Sequence, residues 1–298
     1  MVGNQLRRTW IGDGSGYALT CVMRIACCGL LGWLSVAGGA GQAPAGAAAR
    51  FVVVLDAAHG GEDGGARLGG PDPDGSGQAG PGQGGGEVEK NVTLAMSVRL
   101  RSLLMARGFQ VVTTREGNVS LDADARAQIA NRAVAGAGPG AGAVCLSLHA
   151  TEMGSGAHLF VSSLSPSGPG TMGPARFLPW KTAQSAYASR SLKLAGQVNS
   201  ALEHVSAGGG PITATLKRAS LPGLDSMTCP AVAIEIAPIR GGDRKVLTEV
   251  TDPEYQTQVV EALAAALLEW KTDAGADLGS GSGQDSVQGA SKAGGRQP

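Results

Sequence analysis

Short aliphatic runs alternating with helical patterns constrain the fold of this chain more than any other feature. Four runs predict strands: FVVVL from Phe51, FQVVTT from Phe109, AVCLSL from Ala143 and AVAIEI from Ala231. Apolar residues recur at helical spacing in four segments, from Val92 to Gly108, from Leu121 to Val134, from Ser189 to Glu203 and from Tyr255 to Trp270. Alternating strands and helices indicate an α/β domain with a single, mostly parallel sheet flanked by helices.

The length of 298 residues fits one globular domain of about 200 residues with extensions at both ends. Residues 1–46 resemble an export leader, because arginines precede a short apolar stretch from Ile25 to Ala37 and small residues follow it. We therefore expect an exported protein of the periplasm or cell envelope, with no stable membrane insertion after leader removal. The globular domain is predicted at 51–271. Residues 272–298 are rich in glycine and polar residues and are predicted to be a disordered tail.

Charge and cysteine content exclude two classes of protein. Lysine plus arginine equals aspartate plus glutamate at 24 each, so no basic face for nucleic acid is expected. Three of the five cysteines, Cys21, Cys27 and Cys28, lie in the expected leader. Cys145 and Cys229 lie in or beside apolar runs, which favours buried thiols over a disulfide. No C-x-x-C spacing offers a thiolate zinc site.

Two of the predicted strands are followed by a histidine. His59 comes just after the first run and precedes Gly60 and Gly61, and His149 directly follows the third run. In a parallel sheet the carboxyl ends of the strands meet at one edge, where ligands bind. Either histidine alone is more often a structural imidazole than a metal ligand. The repetition of the pattern favours a shared site.

Two glutamates complete a possible catalytic set. Glu89 follows a glycine-rich loop that begins at Arg67, and it lies at the predicted start of a helix, where an acid also suits the helix dipole. Glu235 lies among aliphatic residues of the fourth run, and burying a carboxylate there is costly unless it meets a metal, a proton or a donor. Two imidazoles, one carboxylate and a water make a catalytic zinc site, and a further glutamate can move the protons.

The chain resembles the zinc-dependent N-acetylmuramoyl-L-alanine amidases of the AmiA/AmiC type, the Amidase_3 family. The resemblance is carried by VVLDAAHGGEDGGA, EKNVTLAMSVRLRSLLMARGFQVVTTRE, LDADARAQIANRA, CLSLHATE and CPAVAIEIAPI, in the order of the family. It implies that 51–271 is the catalytic domain, that His59, Glu89 and His149 bind Zn²⁺, and that Glu235 is the catalytic base. Glu87 is the alternative ligand if the register of the loop differs.

The resemblance also implies a substrate and a reaction, which is hydrolysis of the amide between N-acetylmuramic acid and L-alanine in peptidoglycan. Departures from the family pattern at Ala57-Ala58, Thr151 and Ala237-Pro238 border the expected cleft and bear on substrate fit. Two alternatives stay open: a non-catalytic peptidoglycan-binding protein of the same fold, and an exported metallo-amidase with another peptide substrate. Arg126 is expected to be structural. His158 and His204 match no motif, and the sequence identifies no activator protein.

Overall fold

The computed structural model describes residues 50–69, 86–138, 141–167, 180–207 and 210–280. All of them belong to one compact unit, Gly46–Pro298. The expected leader, most of the glycine-rich loop (70–85) and residues 281–298 of the expected tail lie outside the described residues. None of the described helices combines the length and the hydropathy that crossing a membrane requires.

Strands and helices alternate along the described part of the chain. In order they are β1 (Phe51–Ala57), β2 (Arg67–Leu68), β3 (Glu87–Val88), α1 (Glu89–Ala106), β4 (Gln110–Thr113), α2 (Ala123–Gly136), β5 (Gly142–Ala150), β6 (Ala157–Ser162), a 3-10 helix (Trp180–Ala186), α3 (Ala188–Glu203), β7 (Ser206–Ala207), β8 (Gly210–Pro211), β9 (Ala214–Ala219), α4 (Pro222–Asp225), β10 (Ala231–Ile236), β11 (Ile239–Arg240), β12 (Val246–Thr248) and α5 (Pro253–Ser280).

A six-stranded sheet with the order β4-β1-β5-β10-β6-β9 forms the centre of the domain. The first four strands are parallel to one another, whereas β6 runs antiparallel to β10 and β9 runs parallel to β6. The predicted α/β fold with a mostly parallel sheet is therefore confirmed. Parallel pairing of β1, β5 and β10 brings their carboxyl ends to the same edge, as the strand pattern required.

Alternate residues of the strands fill two cores, one on each face of the sheet. On one face, Val53, Leu55 and Leu146 pack with apolar residues of α1, α3 and α5. On the other face, Val52 and Val54 pack with residues of α2, α4 and the ends of the neighbouring strands. Because both faces are covered, the inner strands are aliphatic almost throughout.

The second core contains a disulfide between Cys145 of β5 and Cys229, which lies just before β10. The expectation of two buried thiols is therefore wrong. Both cysteines are fully buried, and their Cα atoms are 6.0 Å apart, which is a usual separation for a disulfide. The sequence showed that both side chains are buried, but their proximity follows from the pairing of β5 with β10. The bond links the strand of His149 to the segment that leads into the strand of Glu235.

Two element boundaries differ from the sequence pattern. The last helix continues to Ser280, beyond the end predicted at Trp270. The segment from Pro211 to Leu224 lacks a clear apolar pattern, yet it contains edge strand β9 and the short helix α4. An edge strand pairs on one side only and exposes much of its surface, so it carries polar residues that obscure the strand pattern.

Candidate functional site

His59 lies in a tight turn immediately after β1. Its backbone has a φ of 59°, in the left-handed region, and the carbonyl of the same residue accepts a hydrogen bond from Nη2 of Arg126 (2.7 Å). The ring is held at both nitrogens: Nδ1 is 2.8 Å from Oδ2 of Asp63, and Nε2 is 3.0 Å from Oε2 of Glu89. The bond to Glu89 raises the pKa of His59, burial opposes that rise, and Asp63 adds to it.

Glu89 is the first residue of α1, and its buried carboxylate lies between the two histidines. Oε1 is 3.1 Å from Nδ1 of His149 and accepts from the backbone N–H of Ala150, while Oε2 accepts from that of Ala66. Burial disfavours the ionised form, but the bonds from the histidines and from the two N–H groups outweigh it. Together they hold the pKa of Glu89 well below its ordinary range. Glu89 is therefore a carboxylate at neutral pH.

One ligand atom from each of His59, Glu89 and His149 lies within 4.8 Å of the other two. We call these three residues the histidine–glutamate cluster. Glu87, the alternative from the sequence, is exposed, and its side chain accepts from Nδ2 of Asn91 (2.6 Å). Parallel strands and the start of α1 thus bring together the three residues that the sequence singled out.

Gly65 leaves the space in which the histidine–glutamate cluster fits. Its φ is +68°, and a Cβ at this position would lie 2.5 Å from Oε2 of Glu89 and 2.6 Å from Cδ2 of His59. Neither atom can move away without disturbing the arrangement. The neighbouring Gly64 differs, because the nearest atom to its Cβ position is Cγ1 of Val88 at 3.8 Å. The sequence showed a glycine-rich turn here but not which glycine is required.

A buried polar network lies beneath the cluster. Asp56 of β1 accepts hydrogen bonds from Nη1 of Arg126 (2.8 Å), the hydroxyl of Thr114 (2.6 Å) and the hydroxyl of Ser147 (2.8 Å). The oxygen of Ser147 is also 3.4 Å from Nε2 of His149. Arg126 also donates to the carbonyl of Ala57, which agrees with the structural role expected for it. The sequence did not indicate Asp56 or Ser147, since both look like ordinary polar positions at strand ends.

Arg115 is a second buried guanidinium that the sequence analysis missed. It donates to the carbonyls of Ala57, Ala58 and Lys90, and so joins the turn of His59 to the first turn of α1. Burial lowers the pKa of Arg115, and the charge of Arg126 lowers it further. The two arginines fix the backbone on which His59 is placed.

Glu235 lies beside the cluster on the next strand. In β10 it is in register with His149 of β5 on one side and with His158 of β6 on the other. Residues opposite one another on adjacent strands point to the same face, so Glu235 is flanked by two histidines. Among the described residues, no hydrogen bond or ion pair to the carboxylate of Glu235 is found. His158, which matches no motif, is thus a close neighbour of this glutamate.

His59 and His149 of the cluster line one open cavity of about 610 Å³ together with Glu235, whereas the third member, Glu89, is buried and is not part of the lining. Its other wall is largely apolar and is formed by Leu121, Phe160, Leu221 and Leu224. Phe160 extends from the sheet, whereas the three leucines come from the segments around α2 and α4. An apolar cavity with a few convergent polar groups at one end is a usual form for a substrate site.

The amino-acid sequence matches the family model described as "N-acetylmuramoyl-L-alanine amidase", Amidase_3, over residues 53–269. A search of curated proteins gave no match. Among solved structures, N-acetylmuramoyl-L-alanine amidase AmiC2 of Nostoc punctiforme is 20% identical, with a TM-score of 0.48, over 74% of this chain and 97% of that chain. The N-acetylmuramoyl-L-alanine amidase of Clostridium difficile 630 is 18% identical, with a TM-score of 0.48, over 75% of this chain and 97% of that chain. The amidase Ami1 of Mycobacterium smegmatis is 20% identical, with a TM-score of 0.47, over 76% of this chain and 98% of that chain. The family match covers most of the chain, and the protein belongs to the N-acetylmuramoyl-L-alanine amidase family.

Proposed function

We propose that this protein is a zinc-dependent hydrolase that cleaves the amide between N-acetylmuramic acid and L-alanine in peptidoglycan. One observation carries the proposal: the two histidines of the histidine–glutamate cluster line the same cavity as Glu235, whose carboxylate has no partner among the described residues, in a chain that belongs to the amidase family. The roles follow the chemistry of each group. His59, Glu89 and His149 would hold the metal, and Glu235 would act as the base.

The residues of the cluster suit a zinc ion. Two imidazoles and one carboxylate are the ligand set of many catalytic zinc sites, which leave a further position open. Glu89 is held in its ionised form, as a ligand must be. Asp63 contacts the other ring nitrogen of His59, and a carboxylate in that position orients a metal-binding histidine. The two histidines of the cluster also line the cavity, within reach of a substrate.

Glu235 has the placement that proton transfer requires. A zinc ion in the cluster would supply a Lewis acid that polarises the scissile carbonyl and makes a nearby water more acidic. Glu235 then takes the proton of the attacking water and passes it to the departing amine of L-alanine. Because no described residue pairs with its carboxylate, both oxygens are available for these transfers. The buried network of Asp56, Ser147 and Arg126 holds the strand ends in place while this occurs.

An exported location in the periplasm or cell envelope is part of the proposal. The expected leader supports it, and so does the Cys145–Cys229 disulfide, since such bonds persist mainly in oxidising compartments. Peptidoglycan, the substrate, is found there. We propose no nucleic-acid partner, and no activator protein is assigned.

The test is an incubation of the purified protein with peptidoglycan, with and without a chelator, followed by detection of newly freed amino groups of L-alanine. We expect release that stops in the chelator and returns when zinc is added. Release that ignores the chelator would refute zinc dependence. Zinc binding without any release would instead support a non-catalytic wall-binding protein or an amidase for another peptide.

Glu235→Gln tests the assigned base separately from the metal. The amide keeps the size of the side chain but cannot take up the proton, so we expect turnover to fall by roughly 10²- to 10⁴-fold with zinc content unchanged. Glu261→Gln, on the exposed surface of α5, is the matched control and should leave turnover intact. Full activity in Glu235→Gln would rule out the assigned role.

A further inference from the structure

We infer that Lys217, on edge strand β9, binds a carboxylate of the peptide part of the substrate, on the second residue after the bond that is cleaved. This inference rests on the proposed function, because it names how the same site selects its peptide. Lys217 is exposed, and within the described ranges it forms no hydrogen bond or ion pair. Its position on the sheet, rather than its exposure alone, carries the argument.

Lys217 lies on the face of the sheet that forms the cavity. It is in register with Phe160 of β6, which is itself in register with Ala233 of β10, and both of those residues line the cavity. Ala219, two residues later on the same face of β9, lines it as well. Thr215, two residues earlier, contacts Nδ1 of His158 through its hydroxyl (2.9 Å). Lys217 is therefore placed at the edge of the cavity.

The distance between Glu235 and Lys217 suits a short peptide that lies between them. Two strand spacings and a shift of two residues place the Cα atoms of Glu235 and Lys217 about 12 Å apart. Both side chains leave the same face of the sheet, so they extend beside a peptide that lies over this face. The amine of L-alanine and a carboxylate on the next residue are about 6 Å apart in an extended peptide. Because lysine has a flexible four-carbon stem, its ammonium can approach a carboxylate on the second residue of a peptide whose first amine lies at Glu235.

The substrate has a suitable group at this point. In peptidoglycan, L-alanine is followed by a D-glutamate that continues the chain through its γ-carboxyl, so its α-carboxylate is either free or amidated. An ammonium group at the edge of the cavity favours a substrate whose α-carboxylate is free over one in which it is amidated, because an ion pair is stronger than a hydrogen bond to a neutral amide. Lys217 would therefore be a specificity residue, with no part in the bond cleavage.

Arg218 provides a matched control on the adjacent position of the same strand. Its side chain points to the other face, where Nε donates to the carbonyl of Ser162 and Nη2 to that of Leu164. Replacing either residue by alanine removes one positive charge from β9. Only the change at Lys217 removes a charge from the cavity side.

The experiment compares N-acetylmuramoyl-L-alanyl-D-glutamate with N-acetylmuramoyl-L-alanyl-D-isoglutamine, which differ in a carboxylate and an amide. They are assayed as substrates and as inhibitors of peptidoglycan cleavage. We expect the protein to prefer the carboxylate by roughly threefold to tenfold, mainly through KM or the inhibition constant. Lys217→Ala should abolish the preference, whereas Lys217→Arg and Arg218→Ala should keep it.

Two outcomes would overturn the inference, and they are distinct from failure of the proposed function. If the protein cleaves peptidoglycan but does not distinguish the two compounds, Lys217 has no such role. Lys217 also has no such role if Lys217→Ala weakens the binding of both compounds equally, or if this variant still prefers the compound with the carboxylate. If neither peptidoglycan nor the two compounds are cleaved, the proposed function itself fails and the inference fails with it.

Discussion

Removal of the Cys145–Cys229 disulfide should destabilise the domain without unfolding it at room temperature. The bond lies in the core between the sheet and the helices α2 and α4, and it joins two positions 84 residues apart in sequence. The segment it closes contains β6, α3, β9 and α4. In the unfolded chain the bond restrains all of these elements, so its removal increases the entropy of the unfolded state.

The size of the effect follows from the length of the closed segment. For a separation of 84 residues, the chain-entropy relation gives about 4.5 kcal/mol at 25 °C. Measured losses are often smaller, about 2 to 4 kcal/mol, because the reduced chain keeps some structure. For a domain of this size, each kcal/mol lowers the melting temperature by roughly 2–4 °C. A decrease of about 10 °C is therefore expected.

The assay uses thermal unfolding, followed by circular dichroism, of the protein without residues 1–46, so that the leader cysteines do not interfere. Cys145→Ala/Cys229→Ala and the reduced parent should melt at similar temperatures, both well below the oxidised parent. The double variant should be insensitive to the reductant. The reasoning would be refuted if reduction left the melting temperature of the parent unchanged, or if the unreduced parent contained two titratable thiols.

Three further changes test the packing around the site. Gly65→Ala places a methyl group against the histidine–glutamate cluster and should weaken zinc binding by roughly 10- to 100-fold in a competition assay. Gly64→Ala, whose Cβ would make only an ordinary van der Waals contact with Val88, should bind zinc normally, and equal affinities of the two variants would contradict this geometry. Arg126→Met leaves the carboxylate of Asp56 buried without its partner and should lower the free energy of unfolding by about 3–5 kcal/mol in urea titration, and a loss under about 1 kcal/mol would contradict this. Tyr255→Phe removes the buried hydroxyl that donates to the carbonyl of Ala237 and should cost about 1 kcal/mol in the same titration, and an unchanged midpoint would count against that bond.

The strand and helix pattern predicted both the fold and the proximity of the site residues, because the fold itself brings the ends of its strands together. Aliphatic runs that end in His59 and His149 predict parallel strands, and parallel strands bring their carboxyl ends together. Glu89 was placed by the start of α1. The periodicity of the sequence is therefore sufficient for these three residues, because each lies at the end of a regular element.

Features that depend on contacts between distant segments of the chain could not be predicted from the sequence pattern. The pairing of Cys145 with Cys229 depends on the register of two strands, which burial alone does not reveal. The sequence assigned no role to His158 or Lys217, because neither β6 nor β9 has a long aliphatic run that ends at a conspicuous polar residue. The support of the site by Arg115 arises from backbone carbonyls, which have no signature in the sequence.

The most direct test of the proposed metal centre is a crystal structure of the protein with zinc, with diffraction data collected at the zinc absorption edge. We predict one strong anomalous peak within about 2.0–2.2 Å of a nitrogen of His59, a nitrogen of His149 and an oxygen of Glu89, with the carboxylate of Glu235 facing the open coordination position. A peak bound elsewhere, or no peak at this cluster in crystals of protein that cleaves peptidoglycan, would contradict the account.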